Sequence, residues 1–357
     1  MLAAAARELA AGRNAAAQPL FRAASEMYPD NPTLAMWAAQ DWAGKRSPAE
    51  DVAAYRALTD RSPSYGAAYN LLTYAYLAAG DTAAALAAAG KQVELAPGQP
   101  NPHDTYAEVL QAVGRLDEAA QHYMGATKLD SSFTEGYVGV AEVRQLQKRG
   151  AEARAELTTA LRRATGIGDS LRYMEYLAQS AVYGNDLKGA QRQLEQTAHH
   201  AEQRRQTGAA LTAHANLATV SALMGDKASV ATHLAEARRL AAPADSGRMM
   251  RMAALAYFAA GMTDSLRATI AGHDDAHVAM ASLALQDRKA DDAIRHLDVA
   301  KSPSPLAAEL SAEAHAQLKH ADVARTARQE LVARRSQLYY NAEDMATAVA
   351  LRRAAKM

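Results

Sequence analysis

The residues best able to do chemistry in this chain are its histidines. His273 and His277 stand four positions apart, with Asp274, Asp275, His296 and His315 in neighbouring segments. A metal ion would need three or four such ligands converging within about 2.0–2.2 Å of one point. The set is expected to span a loop and three helices, so these side chains read as solvated histidines rather than a metal site. His199-His200 with Arg204-Arg205 reads as the exposed end of an overlong helix; a contact with an anion or acidic partner is the other reading. The Gly166-Ile167-Gly168 sequence resembles a phosphate loop, but no strand precedes it and Leu171 stands where a third glycine is needed. There is no Walker loop, HExxH or nucleophile elbow, and no cysteine to supply a thiolate. The expectation is a chain with no catalytic residue, no metal and no cofactor.

The bulk composition removes further classes. Thirty-nine Lys and Arg balance 39 Asp and Glu, so the long-range attraction to nucleic acid or an anionic membrane surface is missing. Two charge-free stretches, 62–80 and 206–225, carry Pro63, Asn70, Gly208 and Asn216, which leaves pieces shorter than the roughly 20 apolar residues a bilayer needs. They are expected to be buried helices, not membrane insertions. Arg7 and Glu8 interrupt the apolar start before an export signal could form, so the expected location is the cytoplasm by default, or outside it if the N-terminus has been trimmed. Abundant Ala, Leu, Arg, Glu and Gln favour helix throughout.

What must position any site is a repeat. Pro29, Pro63 and Pro97 recur every 34 residues. Gly12, Gly80 and Gly114 follow the same period, as do Ala17, Ala85, Ala119 and Ala153, and the bulky Phe21, Tyr55 and Tyr123. Within one unit Tyr69, Leu72 and Tyr76 precede Gly80-Asp81, Ala85 and Pro97. The next repeats this with Tyr106, Leu110, Gly114, Ala119, Tyr123 and Ala126. Small alanines permit two helices to cross closely, glycine permits the positive backbone angle that ends the first, and proline stops the second.

On these residues the chain resembles the tetratricopeptide-repeat family. The resemblance implies an all-α, right-handed superhelix of about ten helix-turn-helix units, regular over 1–164 and divergent over 165–357, the two stretches continuous because breaks such as Gly166-Ile167-Gly168 are short enough to be ordinary inter-unit loops. Later units centre on Ala190, Ala237, Ala293 and Ala324, and Tyr339 to Lys356 suits a terminal capping helix.

In that family the first helix of each pair lines the concave surface. The side chains it would present here are Asn70, Tyr74, Leu77, Asp104, Glu108, Gln111, Glu135, Glu142, Glu175 and Gln179, with Arg172 nearby. Five are acidic. They read either as an ordinary solvated face or as a groove for a cationic extended segment anchored by Tyr74. Asn70 has no cationic companions in the next two units, so the carboxylate clamp of chaperone-binding members is not expected. The function implied is a non-catalytic scaffold for a protein or extended peptide. The alternatives are a subunit that self-associates head to tail through its nearly bare first helix, Leu2 to Ala6, or the repeat portion of a larger exported or regulatory protein.

Overall fold

The computed structural model describes residues 1–42, 44–300, 304–333 and 345–354, and among these every regular element is helical. In chain order they begin with α1 (Leu2–Ala10), α2 (Asn14–Met27), α3 (Pro32–Ala39), α4 (Pro48–Arg61), α5 (Gly66–Ala78), α6 (Thr82–Leu95), α7 (Pro100–Ala112) and α8 (Leu116–Leu129). Next come α9 (Thr134–Leu146), α10 (Gly150–Arg163), α11 (Ile167–Tyr183), α12 (Leu187–Gln203), α13 (Thr207–Met224) and α14 (Lys227–Leu240). After a 3-10 turn at Pro243–Asp245 follow α15 (Ser246–Ala260), α16 (Thr263–Ile270), α17 (His277–Gln286) and α18 (Ala290–Ala300). The last are α19 (Pro305–Gln317), α20 (Ala321–Ala333) and α21 (Met345–Ala354). Ten helix pairs and a terminal helix are thus present among the described residues.

The chain divides into two compact units, Met1–Val143 and Arg144–Met357, the boundary falling inside α9. Each is a stack of short-turned helix pairs in which consecutive helices pack on one another.

The starts and stops of these helices follow from local chemistry. Ser47 and Glu50 form a reciprocal capping box at α4, with Pro48 at its first turn. Asp81, Asp186 and Asp226 each accept a backbone N–H three residues on, capping α6, α12 and α14. Gly80 and Gly114 take the predicted left-handed conformation, with φ of +79° and +80°. One period later the same conformation is held by Lys148, and in later turns by Asn185, Arg288 and Lys319, with φ of 62–66°.

The repeat alanines do what their size suggests. Ala17, Ala85, Ala119, Ala153, Ala190, Ala237 and Ala293 are fully buried where helices cross. Phe21, Tyr55 and Tyr123 fill the gaps between pairs. Tyr123 lies directly on the bare backbone of Gly139, where an added Cβ would come within 2.3 Å of the ring.

The register drift beyond residue 164 has a physical cause. Helices α5 and α7 have 13 residues each, whereas α11 and α12 have 17 and α13 has 18. About one added turn of 3.6 residues returns each face to the same direction, so packing persists while spacing changes. Later helices shorten again, to 8 residues in α16 and 10 in α17.

Candidate functional site: the face shared by the first helices

In the N-terminal unit, hydrogen bonds between residues about one repeat apart tie successive first helices together. Asn70 Nδ2 donates to Thr105 Oγ1 at 2.8 Å, from α5 to α7. One turn further along, the Tyr74 hydroxyl donates to Glu108 Oε2 at 2.5 Å. Gln111 Nε2 donates to Glu142 Oε2 at 3.1 Å, from α7 to α9, and Gln111 Oε1 accepts from the Tyr123 hydroxyl at 3.4 Å.

This arrangement sorts the expected site residues. Asn70, Tyr74, Asp104, Glu108 and Glu135 gather in one patch, in which the Tyr74 ring and Glu135 are exposed and Asp104 is only 8% exposed. Gln111 and Glu142 are buried, joining helices to each other. Leu77 packs against the cluster of Ala85, Ala89 and Val109. Glu175 and Gln179 are buried in α11, in the other unit. Arg172 is spoken for as well, stacking over the Tyr173 ring at 5.0 Å and bonding to Asp169 at 3.0 Å.

Burial dominates the electrostatics of the patch. It pushes the Asp104 carboxyl up to about 8, helped by the negative charges of Glu108 and Glu135. Burial also raises Glu108, against the opposing effect of the Tyr74 hydrogen bond. The phenol of Tyr74 rises too, through desolvation of its hydroxyl end and then the Glu108 charge. At neutral pH, part of the negative charge counted in the sequence is therefore stored as protonated carboxyl.

In the C-terminal unit the corresponding face holds a segment of the chain itself. Of the terminal helix expected over 339–356, the described part is α21 (Met345–Ala354), residues 339–344 and 355–356 lying outside the described residues, and α21 packs on α11 as well as on α19 and α20. Met345 enters the cluster of Ala178, Ala181 and Val182, while Val349 and Ala350 are fully buried. Arg352 bonds to the Asn185 side chain in the turn after α11. Arg353 lies over the Phe258 ring at 4.9 Å and 3.8 Å from both Glu309 and Glu313. Arg328 of α20 bonds to the same two glutamates, at 2.9 and 3.1 Å. Residue types alone did not mark Glu309, Glu313 and Phe258, because their partners are separated from them by variable spacings.

The histidines differ from expectation in one respect. His273 lies in the turn after α16 and His277 begins α17, so the two do not share a helix face. His277 and His296, however, are half-buried and face each other, rather than standing singly in solvent. His199, Arg204 and Arg205 are exposed at the end of the 17-residue α12, as expected. Gly166-Ile167-Gly168 opens α11 after a helix, and no strand precedes it. Among the described residues no group of three or more His, Asp or Glu could hold a metal ion, and no helix is long and apolar enough to cross a membrane.

No family model and no curated protein matches the chain. Solved structures do. A tetratricopeptide-repeat protein from Parabacteroides merdae aligns over 79% of this chain and 98% of its own length, with 11% identity and a TM-score of 0.50. The chain has the tetratricopeptide-repeat fold. A thermophilic tetratricopeptide protein of Thermus thermophilus aligns over 49% of this chain and 96% of its own, with 24% identity and a TM-score of 0.43. For MamA the shares are 44% and 93%, with 15% identity and a TM-score of 0.37. Tetratricopeptide folds serve in general as protein-interaction scaffolds.

Proposed function

We propose that this chain is a non-catalytic scaffold whose first-helix faces hold a cationic segment of another protein, and that the patch of Tyr74, Asp104, Glu108 and Glu135 is its main contact in the N-terminal unit. The observation that carries this reading is Asp104. Its carboxyl is nearly buried, and the charges acting on it are those of other carboxyls, which drive it up to about 8. A guanidinium or ammonium group placed there would restore the ionised form and gain the Coulomb energy that the free protein forgoes. Tyr74 supplies an exposed ring beside it, suited to stacking under such a cation. The α21 helix provides a parallel within the same molecule, since Arg353 rests between an aromatic ring and two glutamates on the first helices of the C-terminal unit.

A peptide array scored against the full chain tests this directly. Arginine- and lysine-bearing segments should bind better than neutral or acidic ones of the same length, and the preference should shrink as salt rises toward screening lengths of about 8 Å. Equal binding of acidic and basic peptides would remove the proposal.

Head-to-tail self-association has one observation in its favour. Leu2, the first residue of α1, and Met1 before it are 42% and 50% exposed. Sedimentation over a range of concentrations decides it, since a chain that stays monomeric throughout does not associate through this end.

A further inference from the structure

Eight of the eleven histidines face one another in four pairs. Three of these recur at the same spacing: His103 with His122, His214 with His233, and His277 with His296, each 19 residues apart and joining the first helix of a pair to its second. Their Nδ1 atoms approach to 3.2, 3.5 and 3.5 Å, with the rings inclined by only 27–29°. The fourth pair, His315 and His320, brings its Nδ1 atoms to 3.4 Å across the turn between α19 and α20.

In two pairs the first ring is also fixed from behind. His103 Nε2 lies 3.0 Å from the Pro97 carbonyl oxygen, which can only accept, so Nε2 carries the hydrogen. His214 Nε2 stands likewise 3.2 Å from a Glu202 carboxylate oxygen. A neutral imidazole has a single N–H, so in both rings Nδ1 presents its lone pair toward the facing Nδ1. An imidazole whose far nitrogen donates to a carbonyl or carboxylate is the arrangement that orients histidine toward a metal. Two metal–nitrogen bonds of about 2.0–2.1 Å meeting near the tetrahedral angle hold their nitrogens about 3.3–3.4 Å apart. The observed separations bracket that value.

We infer that His103–His122 and His214–His233 are two-histidine binding sites for a divalent transition metal of the zinc type, ligated through Nδ1 and completed by solvent. Among the described residues no third protein ligand is placed to join them, so each site is open-sided. Its effect on the fold is that of a clip between the two helices of a pair, stabilising by mass action as metal is added. The competing arrangement is an N–H···N hydrogen bond between the rings, in which one Nδ1 keeps its proton.

The full chain, stripped with a chelator, should be titrated with Zn(II) while the imidazole nitrogen resonances are followed. The expected result is displacement of the Nδ1 signals of His103, His122, His214 and His233, with a saturable rise in Tm. His122→Asn should lower bound zinc by one per chain and the double variant with His233→Asn by two, whereas His200→Asn should change nothing. Unmoved Nδ1 signals in the wild type, or a protonated Nδ1 that persists at saturating Zn(II), would overturn the inference in favour of the hydrogen bond. So would unchanged zinc stoichiometry in a folded double variant; if that variant does not fold, the wild-type resonances still decide.

Discussion

Tyr74 and Glu108 are 34 residues apart and share a 2.5 Å hydrogen bond, so one repeat length in the sequence becomes one contact between neighbouring first helices. Tyr74→Phe should therefore raise the Glu108 carboxyl further by removing the donor that opposes its desolvation. The cost in stability should be about 0.5–1.5 kcal/mol. NMR titration of the Glu108 carboxyl checks the direction. For binding, Tyr74→Ala should raise the dissociation rate of a cationic peptide much more than Tyr74→Phe, because the phenylalanine keeps the ring.

Asp104 makes stability depend on pH. Its folded-state carboxyl stands near 8, above the value of about 3.9 expected for an unfolded chain. The stabilising effect of its neutral form is complete below pH 4 and is lost progressively as pH rises through 8. Asp104→Asn should thus gain on the wild type by up to about 1.4 kcal/mol per pH unit across that window, with no gain below it. Urea midpoints at pH 5, 6, 7 and 8 measure the slope; a constant difference would mean that Asp104 is ionised in the free protein.

Packing predictions are sharper. Gly139→Ala would push a methyl into the Tyr123 ring, and Ala119→Leu would force extra volume into a fully buried helix crossing. Each should cost about 1–3 kcal/mol by thermal or urea unfolding, against the roughly 0.5 kcal/mol typical of a substitution on an exposed face.

These positions also show what could be read from the sequence and what could not. Ala119 and Tyr123 announced their roles because the strict period fixed which face they occupied. Lys148 and Asn185 concealed theirs: the turn geometry persists there, but a residue other than glycine holds the positive φ at a cost of about 1 kcal/mol or more. The added turns in α11, α12 and α13 preserve the packed face while breaking the count on which the period was recognised. Gln111 and Glu142 have the right helix and the right spacing for the exposed patch, yet they are buried because they bond to each other across α7 and α9. Periodicity identifies the helix and the turn, but not which neighbouring side chain closes over a polar group.

The glutamates under α21 should behave unequally. Glu309 is 1% exposed and bonds Arg328 twice or more, whereas Glu313 is partly open to solvent. Glu309→Ala leaves the buried Arg328 with only the partly exposed Glu313 as partner and should cost up to about 3 kcal/mol, with Glu313→Ala well below that. Equal effects, measured by thermal unfolding, would show that Arg328 is neutralised elsewhere.

The central claim is that the patch around Asp104 receives a cation. Calorimetric titration of the full chain with an arginine-bearing peptide, repeated at pH 7 in buffers of different ionisation enthalpy, measures the protons exchanged on binding. The account predicts the release of nearly one proton per bound peptide, because the cation converts a neutral Asp104 to carboxylate, and its disappearance in Asp104→Asn. Binding with no proton release, or a release that survives in Asp104→Asn, would contradict it.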